Sequence, residues 1–165
     1  MKTIMRALVS IVILLTVGCS VTPKHTITAE EVVRRIENYL QETIRSVPST
    51  LRFSLRRVDT SYTGGCTKWP VGDDFTGQIM PSVSYTATIS KDVQNEANRF
   101  PNAVAAYWKG KSSPVENRKN DFAIRPYKHY SLVVTYYQES RLVELLGVLD
   151  DCIWRYGTPQ PDDNP

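Results

Sequence analysis

Apolar residues recur at helical spacing after Ile27. Thr28 is suited to cap a helix, and Glu31 three positions later completes a capping box. The apolar positions that follow are Val32, Val33, Ile36, Tyr39, Leu40, Ile44 and Val47. Pro48 ends the pattern because it disfavours helical geometry in the residue before it. We therefore predict a helix that covers a sheet. The alternative, a helix lying on a membrane, is less consistent with a face that lacks Trp and Phe.

Strict alternation of apolar and polar residues marks two strands, at 51–56 and 83–89. The first has Arg52 and Arg56 on its polar side, which is either a solvated strand face or a basic stripe for lipid headgroups or phosphate. Between the strands, residues 61–81 contain four glycines and two prolines, which predicts a long loop. A half-buried first strand is the expectation.

The second half of the chain repeats this order. A helix opens at Ser90 or Asp92 and runs to Gly110, with Pro101 expected to kink or break it. Residues 111–120 are polar and predict a loop, 122–124 a short edge strand, 129–137 a strand and 138–141 a turn. Residues 142–154 fit a strand, although their leucine spacing also fits a helix.

These elements give an α+β fold with the order α-β-β-α-β-β. We expect an antiparallel sheet of about four strands with two helices on one face.

The N-terminal segment has the three zones of a signal peptide. Lys2 and Arg6 are followed by residues 7–15, which are apolar except for Ser10 and too short to span a bilayer. The sequence Leu15-Thr16-Val17-Gly18-Cys19 resembles the lipobox of bacterial lipoproteins, although Thr16 replaces the usual aliphatic residue. That resemblance implies cleavage after residue 18 and lipid, including acyl chains such as palmitate, on Cys19. The alternative is an ordinary secretory signal or short anchor with an unrelated cysteine.

The predicted domain organisation follows from these boundaries. Residues 1–18 form the signal peptide, 19–27 a lipidated tether, 28–156 one α+β domain and 157–165 a disordered tail. The full chain has 20 basic and 17 acidic residues. Cleavage of the predicted signal peptide removes two of the basic residues, which leaves 18 basic against 17 acidic residues. This balance does not favour a nucleic-acid partner. The mature protein is expected on the extracytoplasmic face of the cell membrane.

Two cysteines remain after lipidation of Cys19. Outside the cytoplasm Cys66 and Cys152 are expected to form one disulfide, which the chain-entropy model values at about 4–5 kcal/mol. The alternatives are a metal site and a catalytic thiol. Neither a Cys-x-x-Cys motif nor a nearby histidine pair accompanies them.

Motifs for enzymatic chemistry are absent from the sequence. It contains no nucleophile elbow, P-loop, zincin motif or dinucleotide fingerprint, so we predict no catalytic residue, no metal and no cofactor. The acidic doublets Asp73-Asp74 and Asp150-Asp151 are either solvated surface pairs or a cation site. A hydrolase remains as an alternative, and a cleft joining Asp73, Asp74 and His129 would favour it.

A weak resemblance covers most of the mature chain. The lipobox, the early capped helix, Gly64-Gly65-Cys66, the helical stretch from Ser90 to Trp108 and the late Leu149-Asp150-Asp151-Cys152 resemble the small LppA-type lipoproteins of mycobacteria and related actinobacteria. The resemblance implies an α+β domain framed by a middle and a late cysteine, with a strand at the C-terminus. It implies no enzymatic mechanism.

The functional prediction is a non-enzymatic module that binds an envelope lipid, a wall component or another protein. A phage-derived exclusion lipoprotein is the second hypothesis, because phages of such hosts also carry small lipoproteins.

Overall fold

The computed structural model describes residues 27–62, 66, 78–118 and 121–157. Its helices are α1, Ala29–Ser46, and α2, Gln94–Gly110, the latter preceded by a 3₁₀ turn at Lys91–Val93. Its strands are β1 Ser54–Asp59, β2 Ser82–Thr88, β3 Val115–Asn117, β4 Asp121–Tyr127, β5 Tyr130–Tyr137 and β6 Leu142–Leu149.

The strands form one antiparallel sheet in the order β1-β2-β6-β5-β4-β3. The α+β class with an antiparallel sheet and two helices is therefore confirmed. The sheet has six strands rather than about four, and the α-β-β-α-β-β order is extended by two strands. One of these, β3, lies within the segment predicted as a loop. Its three residues include a single apolar side chain, Val115, too few to show alternation.

The first helix begins as its sequence predicts. The hydroxyl of Thr28 accepts a hydrogen bond from the Glu31 N–H at 3.2 Å, which satisfies one of the free N–H groups of the first turn. At the other end the Val47 N–H donates to the Thr43 carbonyl before Pro48. The apolar stripe faces the sheet, and Val32, Ile36 and Leu40 are fully buried.

Pro101 does not break the second helix, so the alternative of a break at this residue is wrong. The helix is continuous from 94 to 110, and Pro101 itself is buried between Phe100 and Val104 on the face that packs against β4 and β5. Burial of this apolar face offsets the loss of one backbone hydrogen bond at the proline.

The first strand begins later and is more exposed than predicted. It starts at Ser54, after the buried Leu51 and the half-buried Phe53, and its register shifts between Leu55 and Arg57. The strand lies at the sheet edge, and Leu55 remains 49% exposed. Alternation indicated burial of one face of this strand, but at the edge of the sheet almost the whole strand remains exposed.

The segment that begins at residue 142 is a strand, which confirms the interpretation that was favoured over a helix. The strand ends at Leu149 rather than at the predicted residue 154. Beyond it, Ile153 forms an isolated bridge with Ile79. The strand alternates between buried and half-buried residues along its length. This pattern fits a central strand with a core on one face.

Both helices pack on the same face of the sheet. The indole N–H of Trp108 in α2 donates to the hydroxyl of the buried Thr43 in α1 at 3.0 Å, and that hydroxyl donates to the Tyr39 carbonyl at 2.7 Å. Gly147 of β6 allows α1 to approach closely, because a Cβ there would collide with Ile36 and Tyr39. Tyr39 then reaches past it to donate to the Ser131 carbonyl at 3.0 Å.

Candidate functional site

The two cysteines predicted to pair are joined in a disulfide. Cys66 and Cys152 lie 5.7 Å apart at Cα and are separated by 86 positions in sequence, and Cys66 is 2% exposed. The bridge lies just past the end of β6, next to the Ile79–Ile153 pairing. It fastens the long β1–β2 connection to the segment after β6.

The start of α1 lies at this same end of the sheet. The Ala29 N–H donates to the Arg155 carbonyl at 3.0 Å, three residues after Cys152. The N-terminal segment therefore joins the fold where β6 ends and β2 begins. The predicted lipidation residue, Cys19, lies outside the described residues.

His129 lies at this end as well, in the turn between β4 and β5. It adopts a left-handed backbone with φ 69°, and its Nδ1 lies 2.6 Å from a carboxylate oxygen of Asp151. Ser131 donates to Asp150 at 2.8 Å, and the Asp150 N–H donates to the His129 carbonyl. Thus both acids of this doublet tie the β4–β5 turn to the end of β6.

The alternative site that would join His129 to Asp73 and Asp74 is not tested, since residues 73 and 74 lie outside the described part of the chain. Within residues 27–62, 66, 78–118 and 121–157, no group of three or more His, Cys, Asp or Glu residues is placed to hold a metal. In those same segments no helix has the length and hydropathy needed to cross a membrane.

A polar cleft of about 720 Å³ opens at the opposite end of the sheet. Helix α2 contributes Asn98 and Asn102, which lie four positions apart and so share one face of the helix. The remaining lining comes from the ends of β3, β4 and β5 and from the turn after β5: Asn117, Arg118, Asp121, Phe122 and 135–140, with Pro101 of α2 between the two asparagines. The cleft thus lies between the start of α2 and the sheet.

Two residues of the lining have a buried oxygen without a hydrogen-bond partner among the described residues: Asp121 Oδ1 and Tyr136 Oη. Asp121 is paired in register with Thr135, so its side chain lies on the opposite face of the sheet from that of Tyr136. A buried polar atom without a partner costs about 1–3 kcal/mol. Both oxygens are inaccessible to solvent, so neither is exposed to the cleft.

The neighbouring polar groups are partly occupied. The Tyr137 hydroxyl donates to Glu144 Oε2 at 3.2 Å, and burial, followed by the negative charge of Glu144, raises the pKa of this phenol. Arg118 pairs with Glu116 at 3.3 Å, and this hydrogen bond raises the pKa of its guanidinium. Tyr137 thus remains a neutral donor at physiological pH, and Arg118 is already neutralised in part.

No local pattern in the sequence indicates this cleft. Its asparagines are scattered over a helix and a segment predicted as loop, and such residues are ordinary on a surface. The cleft depends on β3, which was predicted as a loop, and on α2, which was predicted to kink or break at Pro101. Its polar residues are brought together by the tertiary fold.

Comparison of the chain with known protein-family models, with curated proteins and with solved structures found no match.

Proposed function

We propose that this chain is an exported bacterial lipoprotein, anchored to the cell membrane through lipid on Cys19, that binds a partner in the cell envelope without catalysing a reaction. The sequence supports the anchor: a charged start, a short apolar core and small residues lead to Cys19. The disulfide supports export, because it uses Cys66 and Cys152 and such bonds persist outside the cytoplasm. The similarity to LppA-type lipoproteins stays a prediction.

The observation that carries the binding role is the cleft beside α2, which is lined by the carboxamides of Asn98 and Asn102 and by polar residues at the ends of β3 and β5. The contacts of His129 with Asp151 and of Ser131 with Asp150 are accounted for by closure of a turn. The polar groups of the cleft instead have unused hydrogen-bonding capacity, which favours recognition of a ligand.

The position of the anchor supports the same role. Ile27 lies eight positions after Cys19, a reach of at most about 28 Å, and α1 begins at the sheet end opposite the cleft. Strand β6 has eight residues, so the two ends are about 24 Å apart. Lipid on Cys19 would leave the cleft pointing away from the bilayer, towards the envelope.

Fractionation of cells that express the full precursor tests the anchor. We expect the wild-type protein in the membrane fraction. A Cys19→Ala variant should be absent from that fraction. A Ser20→Ala variant, altered one residue away, should fractionate as the wild type does. Equal membrane association of the wild type and Cys19→Ala would contradict lipid anchoring through this residue.

Incubation with envelope extracts tests the absence of catalysis. A partner that co-purifies with the protein should be recovered with its mass unchanged. Conversion of that partner to a smaller product, abolished by His129→Ala, would support the hydrolase alternative instead.

A further inference from the structure

We propose that one end of the domain rests on the phospholipid headgroup layer of the membrane, an inference that depends on the proposed lipid anchor at Cys19. This docking end consists of the start of α1 and of four segments: 59–62, 79–82, 127–130 and 150–157. Backbone hydrogen bonds connect the segments. The Met80 N–H donates to the Tyr62 carbonyl at 2.8 Å, and the Asp150 N–H donates to the His129 carbonyl at 2.9 Å.

The start of the described chain places this end next to the lipid. The Ala29 N–H donates to the Arg155 carbonyl at 3.0 Å, so α1 enters the fold at the docking end. Ile27 lies eight positions after Cys19, within about 28 Å of it at full extension. A domain held by so short a connection keeps the docking end near the bilayer surface.

Exposed tyrosines are concentrated at the docking end. All nine tyrosines of the chain lie in its described part, and four of them are exposed. Three of these four are at the docking end: Tyr62 at 54%, Tyr127 at 53% and Tyr156 at 64% exposed. The fourth, Tyr137, is at the opposite end of the sheet. Tyrosine is favoured at a membrane–water interface because its ring is apolar and its hydroxyl is polar.

Two of these tyrosines have a basic neighbour in sequence. Lys128 follows Tyr127 and Arg155 precedes Tyr156, and both basic side chains are exposed. Neither forms an ion pair with any acid that the structure describes. Both cations are therefore available to headgroup phosphates, while the adjacent rings lie at the apolar boundary below them.

The acids at this end are mostly engaged by other side chains. Four of them contact a described donor: Glu31 with Arg35, Asp59 with Arg57, Asp150 with Ser131 and Asp151 with His129. Glu30 is exposed in the first turn of α1. The docking end therefore has no strong positive field. The lipid on Cys19 provides the affinity for the membrane, and the tyrosines with Lys128 and Arg155 set the orientation of the domain.

The test compares the reactivity of two lysines in the lipidated protein. The protein is placed in vesicles of phosphatidylcholine that contain phosphatidylglycerol, or in nonionic detergent, and is acetylated with a reagent that does not cross bilayers. Mass spectrometry gives the rate at Lys128 and at Lys91. Lys91 is an exposed internal control at the opposite end, where the Ile89 N–H donates to the Arg141 carbonyl.

We expect the ratio of the Lys128 rate to the Lys91 rate to fall about fivefold on the vesicles, the factor for one basic residue near an anionic surface. Tyr156→Ser should raise this ratio on the vesicles because it removes one of the interfacial rings. Tyr137→Ser is the matched control: it removes a tyrosine that is 44% exposed at the opposite end, and the ratio should not change. Circular dichroism and the thermal midpoint establish that each variant is folded.

A rate ratio that is the same on vesicles and in detergent, or one that Tyr156→Ser leaves unchanged, would overturn the docking. Sedimentation of the same sample with the vesicles measures the anchor separately. Protein that sediments with the vesicles while Lys128 stays fully reactive would keep the anchor and reject the docking. Protein that carries no lipid and stays in the supernatant would reject the anchor, and the docking with it.

Discussion

Gly147→Ala should destabilise the fold because it pushes α1 away from the sheet. The added Cβ would collide with the methyl group Cγ2 of Ile36 and with the phenol of Tyr39. Both side chains are at most 1% exposed, so neither can move aside into solvent. Overpacking of this kind costs about 1–3 kcal/mol. Displacement of Tyr39 from its hydrogen bond to Ser131 adds about 1 kcal/mol, for a total of about 2–4 kcal/mol.

Equilibrium unfolding in urea, with the disulfide intact, measures this loss. With a slope of about 2 kcal/mol/M, the midpoint should fall by about 1–2 M. Gly110→Ala is the matched control: nothing lies within 4 Å of the new Cβ at the end of α2, and the change should be neutral or stabilise by up to about 1 kcal/mol.

A double-mutant cycle identifies the source of the loss. Tyr39→Phe removes the phenol oxygen that the new Cβ would meet, so the cost of Gly147→Ala should be smaller in that background. Gly147→Ala with an unchanged midpoint, or with the same cost in the Tyr39→Phe background, would refute the close approach of α1 to β6.

Three further predictions concern the contacts that hold the fold. Reduction of the disulfide, which spans 86 positions, should lower the free energy of unfolding by about 4–5 kcal/mol in a urea titration with and without reductant. Thr43→Val should cost about 1–3 kcal/mol because it leaves the buried Trp108 N–H without an acceptor, and Thr43→Ser should cost less because it keeps the hydroxyl. Burial acts to raise the pKa of Glu42, but hydrogen bonds from Lys111 and Tyr107 outweigh it and lower that pKa below its ordinary value. The lowered pKa gives a stabilisation that is present above the unfolded-state pKa and is lost as pH falls through the folded pKa, so the stability difference between wild type and Glu42→Gln should shrink below about pH 4.

Each of these has a contradicting result. A reduced protein as stable as the oxidised one would mean that the bridge does not constrain the unfolded chain. Thr43→Val with wild-type stability would mean that the indole has another acceptor. A Glu42→Gln difference that stays constant from pH 7 to pH 3 would mean that the carboxylate gains nothing from its two donors.

The parts of the fold that depend on local signals were predictable from the sequence. The Thr28 cap depends on the next three residues, and the end of α1 depends on the ring of Pro48. Both could therefore be recognised without tertiary information. The pairing of Cys66 with Cys152 followed from the number of cysteines and from the predicted compartment. For the segment after 142 a strand was favoured although its leucine spacing also fits a helix, and the sheet provides this strand with neighbours on both sides.

The parts that depend on tertiary packing were not predictable. Pro101 is tolerated because its helix lies on β4 and β5, and that contact is not visible in the local pattern. The exposure of Leu55 depends on its position at a sheet edge. The cleft combines residues of a helix, three strands and a turn, so it could be recognised only once the sheet order was known.

The most direct test of the account is the intact mass of the protein extracted from membranes, with and without reductant before alkylation. The account predicts a chain that begins at Cys19 and carries acyl chains, with two thiols that react only after reduction. A chain without lipid, or two thiols that are alkylated before reduction, would contradict it. A chain without lipid would contradict the proposed anchor at Cys19. Thiols that react before reduction would show that Cys66 and Cys152 are free rather than joined in a disulfide.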